Sequence, residues 1–91
     1  MAFTRSSLAR IGTANSDAGA VWIYKSADAI GTVRAANYFL DAVDEIKLND
    51  VIFLVTSTGG TPAVHISYCN SNTGSAIDIV DGQVIASTDS D

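Results

Sequence analysis

Val51-Ile52-Phe53-Leu54-Val55 is an unbroken apolar run, and Val21-Trp22-Ile23-Tyr24 is a second one earlier in the chain. Both are β-branched and aromatic, the composition of strands buried on both faces. The chain has 91 residues, and a domain of that size buries only about 60 to 65% of the surface its unfolded chain exposes. It contains one cysteine and one histidine, too few for a disulfide or a closed zinc site. Two-sided apolar strands in a chain too small to cover them predict a fold completed by oligomerisation.

The N-terminal stretch 1–20 is small and polar, with Phe3, Leu8 and Ile11 spaced in neither a strand nor a strong helix period. It reads as an extended arm whose isolated apolar residues could anchor on a neighbouring subunit. The folded part, 21–91, begins at the shift to Val21. A loop with Gly31 as its turn residue follows, and then Ala35, Phe39, Ala42, Val43 and Ile46 fall on one helical face, predicting a short helix near 35–46 with Thr32 as its N-cap.

Asn49-Asp50 turns the chain into the Val51–Val55 strand, and Thr58-Gly59-Gly60-Thr61-Pro62 predicts a hairpin back. The returning segment alternates, with Val64, Ile66 and Tyr68 against His65, Ser67 and Cys69; one side is core and the other polar or subunit-facing. Two short strands, Ala76 to Val80 and Val84 to Ser87, are joined through Asp81-Gly82, a tight-hairpin signal. The fold class is mainly β: a small antiparallel β-sandwich or barrel-like domain with one short helix and an extended N-terminal arm.

Charged residues make up 16% of the chain and the net charge is -5. Arg5, Arg10, Lys25, Arg34 and Lys47 are scattered, so a sequence-independent hold on nucleic acid, which needs clustered cations, is not expected. No apolar run approaches the ~20 residues of a membrane span, and the N-terminus lacks a signal peptide's apolar core. Synthesis in the cytoplasm is expected, where the lone Cys69 stays reduced.

Candidate chemistry is sparse. His65 and Cys69 lie four residues apart, which in one strand separates them by about 13 Å, too far for a nucleophile and its base. Asp41, Asp44 and Glu45 cluster without the spacing of a calcium loop. Asp78, Asp81, Asp89 and Asp91 suit turns and a terminus, and Gly59-Gly60 lacks the lysine of a phosphate-binding loop. Trp22 and Tyr24 lack the basic surround of a single-strand binder. No catalytic residue, metal or cofactor is expected.

The stretches YFLDAVDEIKLNDVIFLVTSTGGTP and AIDIVDGQVIASTDSD, together with MAFTRSSLARIG and VWIYKSAD, resemble small proteins encoded among the structural genes of tailed bacteriophages. The carrying features are the aromatic pair Tyr38-Phe39, Leu48 before a turn, and the strand entry Asp50-Val51-Ile52; Asn49 stands where glycine is usual, and asparagine also tolerates the left-handed conformation. The resemblance implies a virion structural protein, synthesised in the host bacterial cytoplasm and placed on the capsid surface. It implies a decoration, cement or head-fibre component that sits there as a homotrimer, with the major capsid protein or another virion protein as partner and no nucleic acid or membrane. On that reading Phe3, Arg5, Leu8, Arg10 and Ile11 form a capsid-contact arm. Val21, Trp22, Ile23, Tyr24, Val51, Phe53 and Val55 form the oligomer interface. The competing expectation is a tail or fibre component, a knob or joint that touches a host-surface glycan.

Overall fold

A computed structural model describes residues 3–11 and 20–86. It contains six strands: β1 (Leu8–Ile11), β2 (Val21–Lys25), β3 (Val51–Thr56), β4 (Ala63–Asn72), β5 (Ile77–Ile79) and β6 (Gln83–Ile85). They form one sheet in the order β1-β2-β3-β4-β5, with β6 also paired to β4. The protein is therefore mainly β, as its strand-forming runs predict. The sheet is mixed: β2 and β3 are parallel, and the other pairs are antiparallel. A parallel pair needs a long crossover, and residues 26–50 supply it; this segment covers one face and leaves a single open sheet where a sandwich or barrel was expected.

Among the described residues helix is confined to three short pieces, a 3-10 turn at Arg5–Ser7, α1 (Ile30–Val33) and a second 3-10 turn at Leu40–Ala42. The helix expected near 35–46 is replaced by turns, and Thr32 lies inside α1, whose N-cap is Ala29. Asn37 is the cause: its φ is 66°, outside the helical region. The strain is offset by two hydrogen bonds, Asn37 N–H to the Ile77 carbonyl at 2.7 Å and Ile77 N–H to Asn37 Oδ1 at 3.0 Å. The apolar spacing still identified the packing residues, since Phe39, Ala42 and Ile46 are buried while Ala35 is exposed.

The core lies between the crossover and the inner face of the sheet. Trp22, Tyr24, Ile52, Leu54 and Cys69 come from β2, β3 and β4, and meet Val33, Phe39, Ala42 and Ile46. Phe3, Tyr24, Tyr38 and Phe39 stack and cross at ring separations of 5.1 to 6.2 Å. Asp50 fastens the entry to β3 from within: its carboxylate accepts from Ala20 N–H, Trp22 Nε1 and Lys47 N–H. Asn49 beside it adopts φ 71°, the left-handed turn its side chain tolerates.

The Thr58–Pro62 hairpin is present, joining β3 to β4 antiparallel. The hairpin expected at Asp81-Gly82 is not. β5 and β6 both pair with β4, end to end along the same edge, and run in the same direction. Gly82, at φ 82°, kinks this interrupted strand where an added Cβ would stand 3.0 Å from the Ile66 carbonyl oxygen. A bulge between Cys69 and Ser71 shifts the pleat, so Asn72 turns to the inner side and its amide donates to the carbonyls of Val43 and Ile46 at 2.9 and 2.6 Å.

Candidate interaction face

Side chains alternate across a pleated sheet and directly paired residues share a face, so the register assigns every strand residue to one side. On β3 the buried set is Ile52, Leu54 and Thr56, and the half-buried set is Val51, Phe53 and Val55. Their partners on β4 divide likewise: Ser67, His65 and Ala63 on the inner face, Tyr68, Ile66 and Val64 on the outer. β2 adds Val21 and Ile23 to the outer face, β1 adds Ala9 and Ile11, and β6 adds Ile85 and Gln83.

The outer face is thus an apolar surface five strands wide. Ile66 is 38% exposed, Tyr68 44%, Ile85 47% and Ile11 51%. Exposed Lys25 stands at its rim at the end of β2, and Asp78 of β5 stands at one corner beyond Tyr68. Monomeric proteins seldom leave contiguous apolar patches larger than a few hundred Å² in water, and patches of that order mark interaction sites.

The alternation of β4 separates Val64, Ile66 and Tyr68 from His65, Ser67 and Cys69 as expected, and of the two sets His65, Ser67 and Cys69 are the buried one. Ser67 is satisfied by donating to the Val80 carbonyl at 2.7 Å, and Cys69 Sγ lies 3.5 Å from the Ser71 carbonyl. Burial raises the Cys69 thiol above its ordinary pKa, with the Ser71 contact acting in the opposite direction; it is held as the neutral thiol rather than the reactive thiolate. His65 Nε2 is buried and has no hydrogen-bond partner among the described residues. His65 and Cys69 share the inner face along one strand and are not brought together.

The residues expected to form the oligomer interface divide in two. Val21, Ile23, Val51, Phe53 and Val55 lie on the outer face, whereas Trp22 and Tyr24 are 3% and 1% exposed and belong to the chain's own core. The pleat makes this division inevitable, because neighbours in a strand point to opposite sides. Val64, Ile66, Tyr68 and Ile85 complete the face and were not anticipated; the strict alternation of β4 was the available signal.

The residues expected as a capsid-contact arm are engaged within the chain. Phe3 packs in the aromatic cluster, with Thr4 N–H donating to the Tyr24 hydroxyl at 2.9 Å. Leu8 packs against the core, Arg5 pairs with Glu45, and the Arg10 guanidinium lies 4.9 Å from the Trp22 ring centroid. Only Ile11 is left on the outer face. Residues 1–2 and 12–19 of the expected arm lie outside the described residues, as do Asp89 and Asp91 of the polar C-terminal stretch.

Among the described residues no group of three or more His, Cys, Asp or Glu side chains is placed to hold a metal ion, and no helix is long and apolar enough to cross a membrane. An open hollow of about 450 Å³ lies between Thr4, Lys25, Asp28 and Thr58. The Asp28 carboxylate near it accepts from the Tyr38 hydroxyl at 2.7 Å, and the Tyr38 and Tyr24 hydroxyls lie 3.0 Å apart. No family model, curated protein or solved structure matches the chain.

Proposed function

We propose that this chain is a non-enzymatic assembly protein and, on the resemblance to small structural proteins of tailed phages, a capsid decoration or cement protein on the virion surface. The observation that carries the assembly reading is the apolar outer face of the sheet, which the described residues leave half-open to water. A protein of this kind works by binding the assembled lattice of the major capsid protein and not its dissociated subunits, which stabilises the head by mass action. The homotrimer implied by the resemblance fits a small sheet with one uncovered face.

Immunogold electron microscopy of intact virions, with an antibody to this chain, tests the assignment. Label over the whole head is expected. Label confined to the tail would replace decoration by a fibre or joint role, and absence of label would refute the virion assignment. Deleting residues 1–20 does not test capsid contact cleanly, since it removes β1 and Phe3 from the folded domain.

A further inference from the structure

We infer that further copies of this chain, and not a different protein, cover the outer face of the sheet, with Phe53, Ile66 and Tyr68 at the centre of the contact. The inference rests on the assembly part of the proposed function and specifies the partner for this surface.

Three observations favour a homomeric contact. The first is composition: interfaces between partners that also exist apart are about as apolar as ordinary surface, whereas homo-oligomer interfaces are richer in apolar residues and poor in charge. Across β1, β2, β3, β6 and β4 as far as Tyr68 the outer face consists of Ala, Val, Ile, Phe and Tyr side chains, with Gln83 and rim residue Lys25 as the exceptions; beyond Tyr68 it ends in polar Asn70, Ser71 and Asp78. The second is extent. Five strands at ~4.8 Å spacing and about five residues at ~3.3 Å give a face of roughly 400 Å² in projection. Its accessible area is larger because side chains stand up from the sheet, approaching the roughly 600 to 800 Å² per partner of a stable interface.

The third is charge. Asp28, Asp41, Asp44, Glu45 and Asp50 belong to the crossover on the opposite side of the sheet. Two like-charged chains that meet through their outer faces therefore keep these carboxylates apart, and the charged side chains of the face itself, Lys25 and Asp78, stand at its edge. Stacked sheets pack about 10 Å apart with interdigitating side chains, so the contact supplies the second layer that the single chain lacks.

Sedimentation velocity on the purified full chain, compared with Ile66→Lys, tests this. Wild type is expected at a small multiple of the 9.5 kDa chain mass, and Ile66→Lys is expected to weaken association by at least 100-fold. Wild type that stays monomeric, or a variant that folds and associates as wild type does, would overturn the inference. Should the variant fail to fold, hydroxyl-radical labelling of wild type decides. Tyr68 is 44% exposed in the single chain and is expected to be protected in solution, at a concentration where dilution restores labelling; full labelling at every concentration overturns the contact. The two readings fail separately. A monomer that still labels virions refutes the homomeric contact alone, and an intact oligomer that labels no virion refutes the virion assignment alone.

Discussion

The indole Nε1 of Trp22 donates to Asp50 Oδ2 across 3.0 Å inside the core, joining the middle of β2 to the residue that opens β3. The same carboxylate also receives the backbone N–H groups of Ala20 and Lys47, so it ties the end of the crossover to the start of β2. Asp50→Ala leaves three donors unsatisfied at a buried position, and a loss of about 3 kcal/mol or more is expected. Trp22→Phe removes one of them and should cost about 1 to 3 kcal/mol. Urea unfolding at one fixed protein concentration measures both, the concentration being held because association contributes to stability.

His65 presents the reverse case. Its Nε2 is buried with no partner among the described residues, and its neighbour on β3 is Leu54. Replacing it by Leu or Met removes an unsatisfied polar atom and is expected to leave stability unchanged or raise it by about 1 to 2 kcal/mol. A large loss in the same unfolding assay would show that the imidazole has a partner in solution.

Alkaline pH should weaken the fold. Burial raises the Cys69 thiol above its ordinary 9.0 and the Tyr38 phenol above its ordinary 10.0. As pH rises, the unfolded chain releases these protons first, so the stability they contribute is fully present below pH about 9 and fades through the higher folded-state values. The urea midpoint is expected to fall between about pH 8 and pH 10.5, and Cys69→Ala should flatten the earlier part of that fall. Cys69 in the native protein should also resist a thiol reagent at pH 8 and react once urea unfolds the chain.

Gly82 and Gly74 separate two effects of glycine. Both have positive φ, 82° and 90°, but an added Cβ meets the Ile66 carbonyl oxygen at 3.0 Å only at Gly82. Gly82→Ala is expected to cost about 2 kcal/mol and Gly74→Ala about 1 kcal/mol. Equal losses would mean that the close approach of the chain to β4 is relieved at no cost.

Strand positions were legible because β-branched runs and dense turn chemistry are local signals, and β2, β3, β4 and the Thr58–Pro62 hairpin all follow from them. The side each residue faces was less legible. An apolar face that packs on the chain's own core and one left for another molecule have the same composition, so nothing in Val64, Ile66 and Tyr68 alone says which they serve. The crossover at 35–46 has helical spacing but lacks helical backbone, because Asn37 exchanges its place in a helix for two hydrogen bonds to Ile77, forty residues away. Asp81-Gly82 has the composition of a hairpin turn and forms a kink, since β4 is long enough for β5 and β6 to follow its edge in succession. Such long-range contacts leave no mark in a local window.

The parallel pairing of β2 with β3 bears on the order in which the chain folds. β3 and β4 are separated only by 57–62, whereas β2 and β3 are separated by 26–50, so the loop-closure entropy of the hairpin is lower. Hairpins close in about 1 to 10 μs, and pairings of greater sequence separation come later. Of the two pairings of β3, the hairpin with β4 is therefore the earlier to order, and it contains Val51, Phe53, Val55, Val64, Ile66 and Tyr68 on one side. Until the crossover docks, its other side, with Ile52 and Leu54, is also bare. Refolding at high protein concentration would then bring such hairpins together before the inner layer closes, and yield of native protein should fall as concentration rises, with the crossover's docking as the step in competition with aggregation.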